Sequence, residues 1–214
     1  MIRDFLDFAL TGEIQEEYKK LTLSFFTRLF LIKAGFLTFY LIIVLQVFGF
    51  ERFQGTESKY SLSIPSTIFV YIIFAPILEE LIFRNHLNLK FKNLVLATVI
   101  SVLLFWRDWF IVILLGYFIL VCFLKNRNIS NLKILLIYSS SLLFAFAHYY
   151  QLIDWDNSET ILKFLLRSIP QFIGGLFYCY IYFRNGVFAS MLFHAFWNLL
   201  PCLVECMRIA FEVP

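Results

Sequence analysis

The side chains in this sequence with the most capacity for chemistry sit among apolar neighbours. In Ala75-Pro76-Ile77-Leu78-Glu79-Glu80-Leu81-Ile82-Phe83-Arg84, two adjacent carboxylates close a hydrophobic run, and an arginine follows four residues after the second. An acid placed four residues before a base is the favourable order for a helical ion pair, so Glu80 is expected to pair with Arg84. Glu79 projects about 100° away around the helix and has no such local partner. An unpaired carboxylate facing a partly dry cavity suits the work of a general base. The plainer alternative leaves both acids at a wet helix end.

Two further clusters share this character. In Phe144-Ala145-Phe146-Ala147-His148 the first and last residues lie on one helical face, so the phenyl ring can wall one side of the imidazole. In His194-Ala195-Phe196-Trp197-Asn198 a histidine and an asparagine again stand at i and i+4, where two adjacent donors suit an oxyanion. Each cluster also has a structural reading, a core histidine or an interhelical hydrogen-bond pair. The chain has three histidines, and two of them fall on apolar helices together with an acid pair and an asparagine. Taken together, that grouping favours a site over coincidence.

The elements that must position these residues are membrane helices. Of 214 residues, 61% are hydrophobic and 15% charged, with 28 Phe, 11 Tyr and a mean hydropathy of +0.79. That much apolar surface does not fit inside one soluble core of this length, which excludes a secreted or cytosolic globular protein. The net charge of +3 is spread between apolar runs and gives no case for nucleic-acid binding. The cysteines Cys122, Cys179, Cys202 and Cys206 form no C-x-x-C pair and are read as packing residues.

The expected fold class is all-α, a polytopic bundle of about seven spans. The spans are placed near Thr22–Phe48, Ser63–Arg84 or beyond, Asn93–Phe105, Trp109–Leu124, Leu132–His148, Ile161–Phe183 and Val187–Val204. Residues 1–21 form a cytoplasmic or interfacial segment, with Ile2, Phe5, Leu6, Ala9 and Leu10 at helical spacing, and residues 22–214 form one transmembrane domain. Lys19, Lys20, Arg84, Lys90, Lys92, Lys125, Arg127, Lys133 and Arg184 all fall on one side if the amino terminus is cytoplasmic, whereas Lys163 and Arg167, on the outer half of the sixth span, fit that pattern less well. The acidic loop around Asp154, Asp156 and Glu159 then lies outside. Gly174 and Gly175, after Pro170, are expected to permit a close helix approach or a bend.

The ordered set Glu-Glu-x-x-x-Arg, Phe-x-x-x-His and His-x-x-x-Asn resembles the signature of the CAAX-processing and bacteriocin-processing (CPBP) intramembrane proteases, which include the Rce1-type prenyl-protein endopeptidases. The resemblance covers about residues 64–204. It implies that Glu79 and His148 activate water, that His194 and Asn198 supply oxyanion donors, and that Glu80, Arg84 and Phe144 give structural support. The interval between the first two motifs is about twice that expected for the family, which fits an added helical hairpin at about 93–124. Simple counting places Glu79 toward one face and His148 toward the other. They meet only if the second span continues past Arg84 or the fifth is shifted inward.

The expected function is therefore an intramembrane endopeptidase, acting without a cofactor on a membrane-associated protein or peptide. One alternative is a zinc-dependent variant with Glu79, His148 and His194 as ligands, although no His-Glu-x-x-His pair occurs. Another is a non-catalytic membrane binding or immunity protein on the same fold. Rich use of Phe, Ile, Leu and Lys with few Gly and Pro suits a multi-pass protein of a bacterial cytoplasmic membrane.

Overall fold

A computed structural model describes residues 1–14, 19–48, 62–127, 131–152 and 156–211. Asp154, expected in an outer loop, lies outside the described residues. The elements in chain order are α1 (Ile2–Thr11), α2 (Leu23–Phe48), α3 (Ile64–Ile68), a π-helical turn (Phe69–Phe74), α4 (Ala75–Phe83) and a 3-10 turn (Asn85–Asn88). They continue with α5 (Phe91–Phe105), α6 (Phe110–Leu124), α7 (Leu132–Tyr149), a 3-10 turn (Tyr150–Leu152), α8 (Ser158–Asn185), α9 (Val187–Trp197) and α10 (Leu199–Phe211). The described residues form a polytopic helical bundle.

Five continuous helical stretches are long and apolar enough to cross a membrane: Leu23–Phe48, Ile64–Asn88, Leu132–Tyr149, Ser158–Asn185 and Val187–Phe211. The remaining two of the seven expected spans, α5 and α6, have 15 residues each. At 1.5 Å per residue each is about 22 Å long, short of a hydrocarbon core of about 30 Å. By length, then, the fold supports five crossings and a shorter hairpin, joined through residues 106–109.

The hairpin is fastened at its turn and at the middle of α6. At its turn, Asp108 accepts hydrogen bonds from the Tyr150 hydroxyl and the Phe110 N–H, and Phe110 stacks on Tyr150 with ring centroids 4.9 Å apart. Midway along α6, the buried His86 joins its Nδ1 to the Ile82 carbonyl and its Nε2 to the Tyr117 hydroxyl, at 2.8 and 2.7 Å. The third histidine of the chain is thus a structural tie.

α7 and α8 pack closely because Gly175 presents no side chain. A Cβ built there would stand 2.9 Å from the Ser141 Cβ and 3.0 Å from its Cα. Pro170 lies inside α8 and does not end it. α1 is a formed helix docked on the bundle. Its Phe5 and Phe8 are buried, Phe5 stacks on Phe177 at 4.0 Å, and Ile2, Leu6 and Leu10 stay exposed. All four cysteines are free.

Candidate active site

The helix bearing the paired acids does not stop at Arg84. It runs on through the 3-10 turn to Asn88, so Glu79 lies well inside the Ile64–Asn88 stretch rather than at its end. That continuation is the first of the two ways sequence counting left for Glu79 to meet His148. His148 lies next to last in α7, and His194 lies in the first half of Val187–Phe211.

Glu79, His148 and His194 converge. Oε2 of Glu79 is 3.8 Å from Nε2 of His148 and 3.5 Å from Nε2 of His194. The same oxygen is buried and has no hydrogen-bond partner among the described residues. About a quarter of the Glu79 and His148 side chains remains accessible, 25% and 26%, whereas His194 is 3% exposed. The cluster therefore has an open side formed by Glu79 and His148 and a closed side formed by His194.

Local bonds set the ring orientations. His148 Nδ1 lies 2.8 Å from the Phe144 carbonyl, which only accepts, so Nδ1 carries the proton and Nε2 points at Glu79. This adds a role for Phe144, whose ring also packs on His148 at 4.6 Å and on His194 at 5.7 Å. His194 places Nδ1 3.0 Å from Oε1 of Glu80 and stacks on Tyr178, with centroids 4.3 Å apart and planes at 20°.

Glu80 is fully buried, and its carboxyl group is surrounded by partners. Arg84 stands 3.5 Å from Oε1, and Ser190 donates to Oε2 at 2.6 Å. Arg84 is itself fully buried, with its guanidinium 4.1 Å from the centre of the Phe144 ring. A buried ion pair of this kind holds only when further hydrogen bonds satisfy the carboxylate, which Ser190 and His194 do. The expected i, i+4 pair is present. Ser190 and Tyr178 were missed in the sequence because a serine and a tyrosine on apolar helices carry no spacing signal of their own.

Asn198 is placed differently from the other three. Its side-chain amide donates to the Tyr71 carbonyl at 3.0 Å, and its backbone N–H continues the helix to the His194 carbonyl. Pro76 supplies the physical reason. The Ala75 N–H donates to the Val70 carbonyl, a span of five residues, so in this register residue 76 would serve the Tyr71 carbonyl. Proline has no N–H, and its ring crowds the carbonyl four residues earlier, which the wider turn relieves. Asn198 thus satisfies an acceptor that Pro76 leaves open.

Among the described residues, no group of three or more His, Cys, Asp and Glu side chains is placed to hold a metal ion. A second charged group lies beside the site: Lys33 of α2 is buried, and its amine donates to the Tyr178 hydroxyl at 2.7 Å. Sequence inspection did not single it out, although an ionisable residue inside an apolar run was the available signal.

A family model described as type II CAAX prenyl endopeptidase Rce1-like matches residues 61–200, a range that holds every candidate residue from Glu79 to Asn198 and leaves out α1 and α2. No curated protein and no solved structure matches the chain. Because the family match covers well over half of its length, the chain belongs to the Rce1-like family of type II CAAX prenyl endopeptidases, membership that implies protease activity in an integral membrane protein.

Proposed function

We propose that the protein is a glutamate-dependent intramembrane endopeptidase in which Glu79 and His148 activate a water molecule for attack on a peptide carbonyl. The supporting observation is the Glu79 Oε2 atom, buried, without a hydrogen-bond partner, and facing the Nε2 atoms of two imidazoles at 3.5 and 3.8 Å. A water at the apex of the Glu79–His148 pair, about 2.8 Å from each atom, fits that spacing. Glu79 takes the proton as the water oxygen attacks, and the protonated carboxyl then delivers it to the leaving amine. His148, with Nδ1–H held by the Phe144 carbonyl, orients the water through its Nε2 lone pair.

The oxyanion that develops on the substrate carbonyl needs donors. Asn198 has two amide hydrogens, one given to Tyr71, and the second serves the oxyanion. His194, with Nε2 3.5 Å from Glu79 Oε2 and Nδ1 3.0 Å from Glu80 Oε1, is the second group facing the developing oxyanion. Glu80 and Arg84 hold His194 in place without touching the reacting atoms. The substrate is a membrane-associated protein or peptide, and the amino terminus of the enzyme faces the cytoplasm.

The deciding experiment is hydrolysis of a panel of membrane-tethered reporter peptides by the purified protein and its Glu79→Gln variant. Cleavage by the wild type alone is the expected result. Cleavage at the same rate by the variant refutes the mechanism. A wild type that binds reporters and never cleaves them points to the non-catalytic role. Activity that survives strong chelators separates this chemistry from the zinc-dependent variant.

A further inference from the structure

We infer that α5 and α6 form a lipid-facing wedge that thins the bilayer beside them, so that phospholipid headgroups seated on the turn at residues 106–109 bring the water boundary level with Glu79 and His148. The lipid contact rests on the hairpin itself; its purpose, water supply to the site, rests on the proteolytic reading above.

The hairpin turn sits at the depth of the site. Asp108 accepts from the Tyr150 hydroxyl and the Gln151 amide, and the Trp109 ring lies 5.4 Å from that of Tyr150. Tyr150 comes two residues after His148, a rise of about 3 Å along a helix, and Nε2 of His148 is 3.8 Å from Glu79. α5, α6 and α7 are thus level with the site at this end. α7 runs from Ser140, which donates to the Phe83 carbonyl, to His148 beside Glu79, so its end and the turn point toward Ile64. The other spans continue past that level on the same side. α10 packs on α3, Tyr182 of α8 meets the Asn85 carbonyl at the opposite side, and Tyr40 of α2 donates to the Leu166 carbonyl of α8. From Glu79 to Ile64, Lys33 to Phe48, His194 to Phe211 and Tyr178 to Ser158 there are roughly 15 to 20 further residues, or about 22–30 Å of helix.

The surface of the hairpin fits lipid, but not a full thickness of it. Val99, Leu103, Val112, Ile119 and Phe123 are exposed along its outer faces. Polar rims close this apolar band, with Lys90, Lys92, Lys125 and Arg127 at one end and Trp106-Arg107-Asp108-Trp109 at the other. The band is about 22 Å tall against a hydrocarbon core of about 30 Å. A span shorter than its bilayer is met by thinning, by snorkelling of flanking side chains or by association. Snorkelling is disfavoured at the turn, because Asp108 is held by Tyr150 and the Arg107 guanidinium lies folded 4.4 Å from the centre of the Trp106 ring. In hydrocarbon of full thickness the exposed Arg107 would carry its charge at depth, an expensive placement. Trp106 and Trp109 are 63% and 52% exposed, and tryptophan prefers the headgroup level, where Arg107 also meets lipid phosphate. Lipid beside the hairpin is therefore about 8 Å thinner than elsewhere. The accessible quarter of the Glu79 and His148 side chains then lies at the depth of hydrated headgroups.

The test uses the full-length protein in dioleoylphosphatidylcholine vesicles, with Trp106 as depth reporter, read as the fluorescence difference between the wild type and Trp106→Phe. The quenchers are phosphatidylcholines brominated either near the headgroup or near the chain end. The shallow quencher should act more strongly than the deep one by roughly twofold or more. Stronger deep quenching means an undeformed bilayer and overturns the proposal. Weak quenching by both means that protein covers the turn, and overturns it in favour of association with a second copy. In mixtures of short-chain and long-chain phosphatidylcholine, quenching should be roughly twofold stronger when the short-chain lipid carries the bromine, and equal quenching is refuting. For the purpose of the wedge, Trp106→Leu/Arg107→Leu, at two exposed positions, should lower reporter-peptide turnover by roughly threefold or more in dioleoyl vesicles and recover it in short-chain vesicles. Turnover indifferent to this variant refutes water supply by thinning. Shallow quenching and short-chain preference in a wild type that cleaves nothing leave the lipid arrangement standing and count against the catalytic reading alone.

Discussion

Replacing each of the two adjacent glutamates by glutamine should give opposite phenotypes, although the residues are neighbours and the substitutions are isosteric. Glu80 is fully buried, 3.5 Å from a fully buried Arg84, and accepts from Ser190 at 2.6 Å and contacts His194 at 3.0 Å. Removing its charge leaves the guanidinium without a counter-ion in an apolar setting, a loss that for buried pairs costs about 3–5 kcal/mol. For chains of this length about 2–4 °C of melting temperature accompanies each kcal/mol, so Glu80→Gln should melt on the order of 10 °C below the wild type. Glu79 lies a quarter exposed, and its Oε2 has no hydrogen-bond partner to lose. Glu79→Gln should therefore melt within a few degrees of the wild type and have no hydrolytic activity. The assay pairs thermal unfolding of the detergent-solubilised protein with reporter-peptide hydrolysis at a temperature where all variants are folded. A Glu80→Gln protein as stable as the wild type, together with a Glu79→Gln protein that unfolds early, would show that the assignment of roles is inverted.

Asn198→Ala should lower turnover by about a hundredfold, the usual cost of one oxyanion donor, and should also destabilise by about 1–3 kcal/mol because the Tyr71 carbonyl loses its donor. Reporter kinetics and a melting curve check both halves, and loss of stability alone would leave Asn198 a purely structural bond. Gly175→Ala should cost about 1–3 kcal/mol by forcing α7 from α8, since the new methyl meets the Ser141 backbone at 3.0 Å; an unchanged melting temperature would refute that close approach. Burial pushes the Asp108 carboxyl up, but hydrogen bonds from Tyr150, the Phe110 N–H and Gln151 outweigh it and hold the group below its ordinary value. The stability it contributes is then present above the ordinary carboxylate range and lost as pH falls through the depressed value. Melting temperatures from pH 7 to pH 3 should fall less steeply in Tyr150→Phe than in the wild type; parallel curves would count against this bond as the source.

The sequence made the membrane-helical class legible because apolar runs of spanning length leave no soluble alternative. It also made the convergence of Glu79, His148 and His194 an expectation, since ionisable groups on apolar helices need company. Of its seven expected spans, five are long enough to cross, whereas α5 and α6 have the hydropathy of spans at a length of 15 residues, a difference that composition alone does not weigh. The Glu80–Arg84 pair was readable because it is local, whereas Ser190, 110 residues away, was not. Asn198 was read as a partner of His194 from spacing. Its bond to Tyr71 depends on Pro76 and the wide turn before it, and no pattern of residue types announces a change in helical register. Lys33 was overlooked because its helix carries none of the recognised motifs.

The wide turn at Phe69–Phe74 divides one long helix into two rods with separate azimuths. Deleting a single residue there would restore ordinary winding at the cost of rotating the 64–68 end against the Glu79 end by about 100°. That rotation would carry the Tyr71 oxygen away from the amide that meets it. The stretch should thus tolerate side-chain exchange better than insertion or deletion, a length constraint set by the backbone alone.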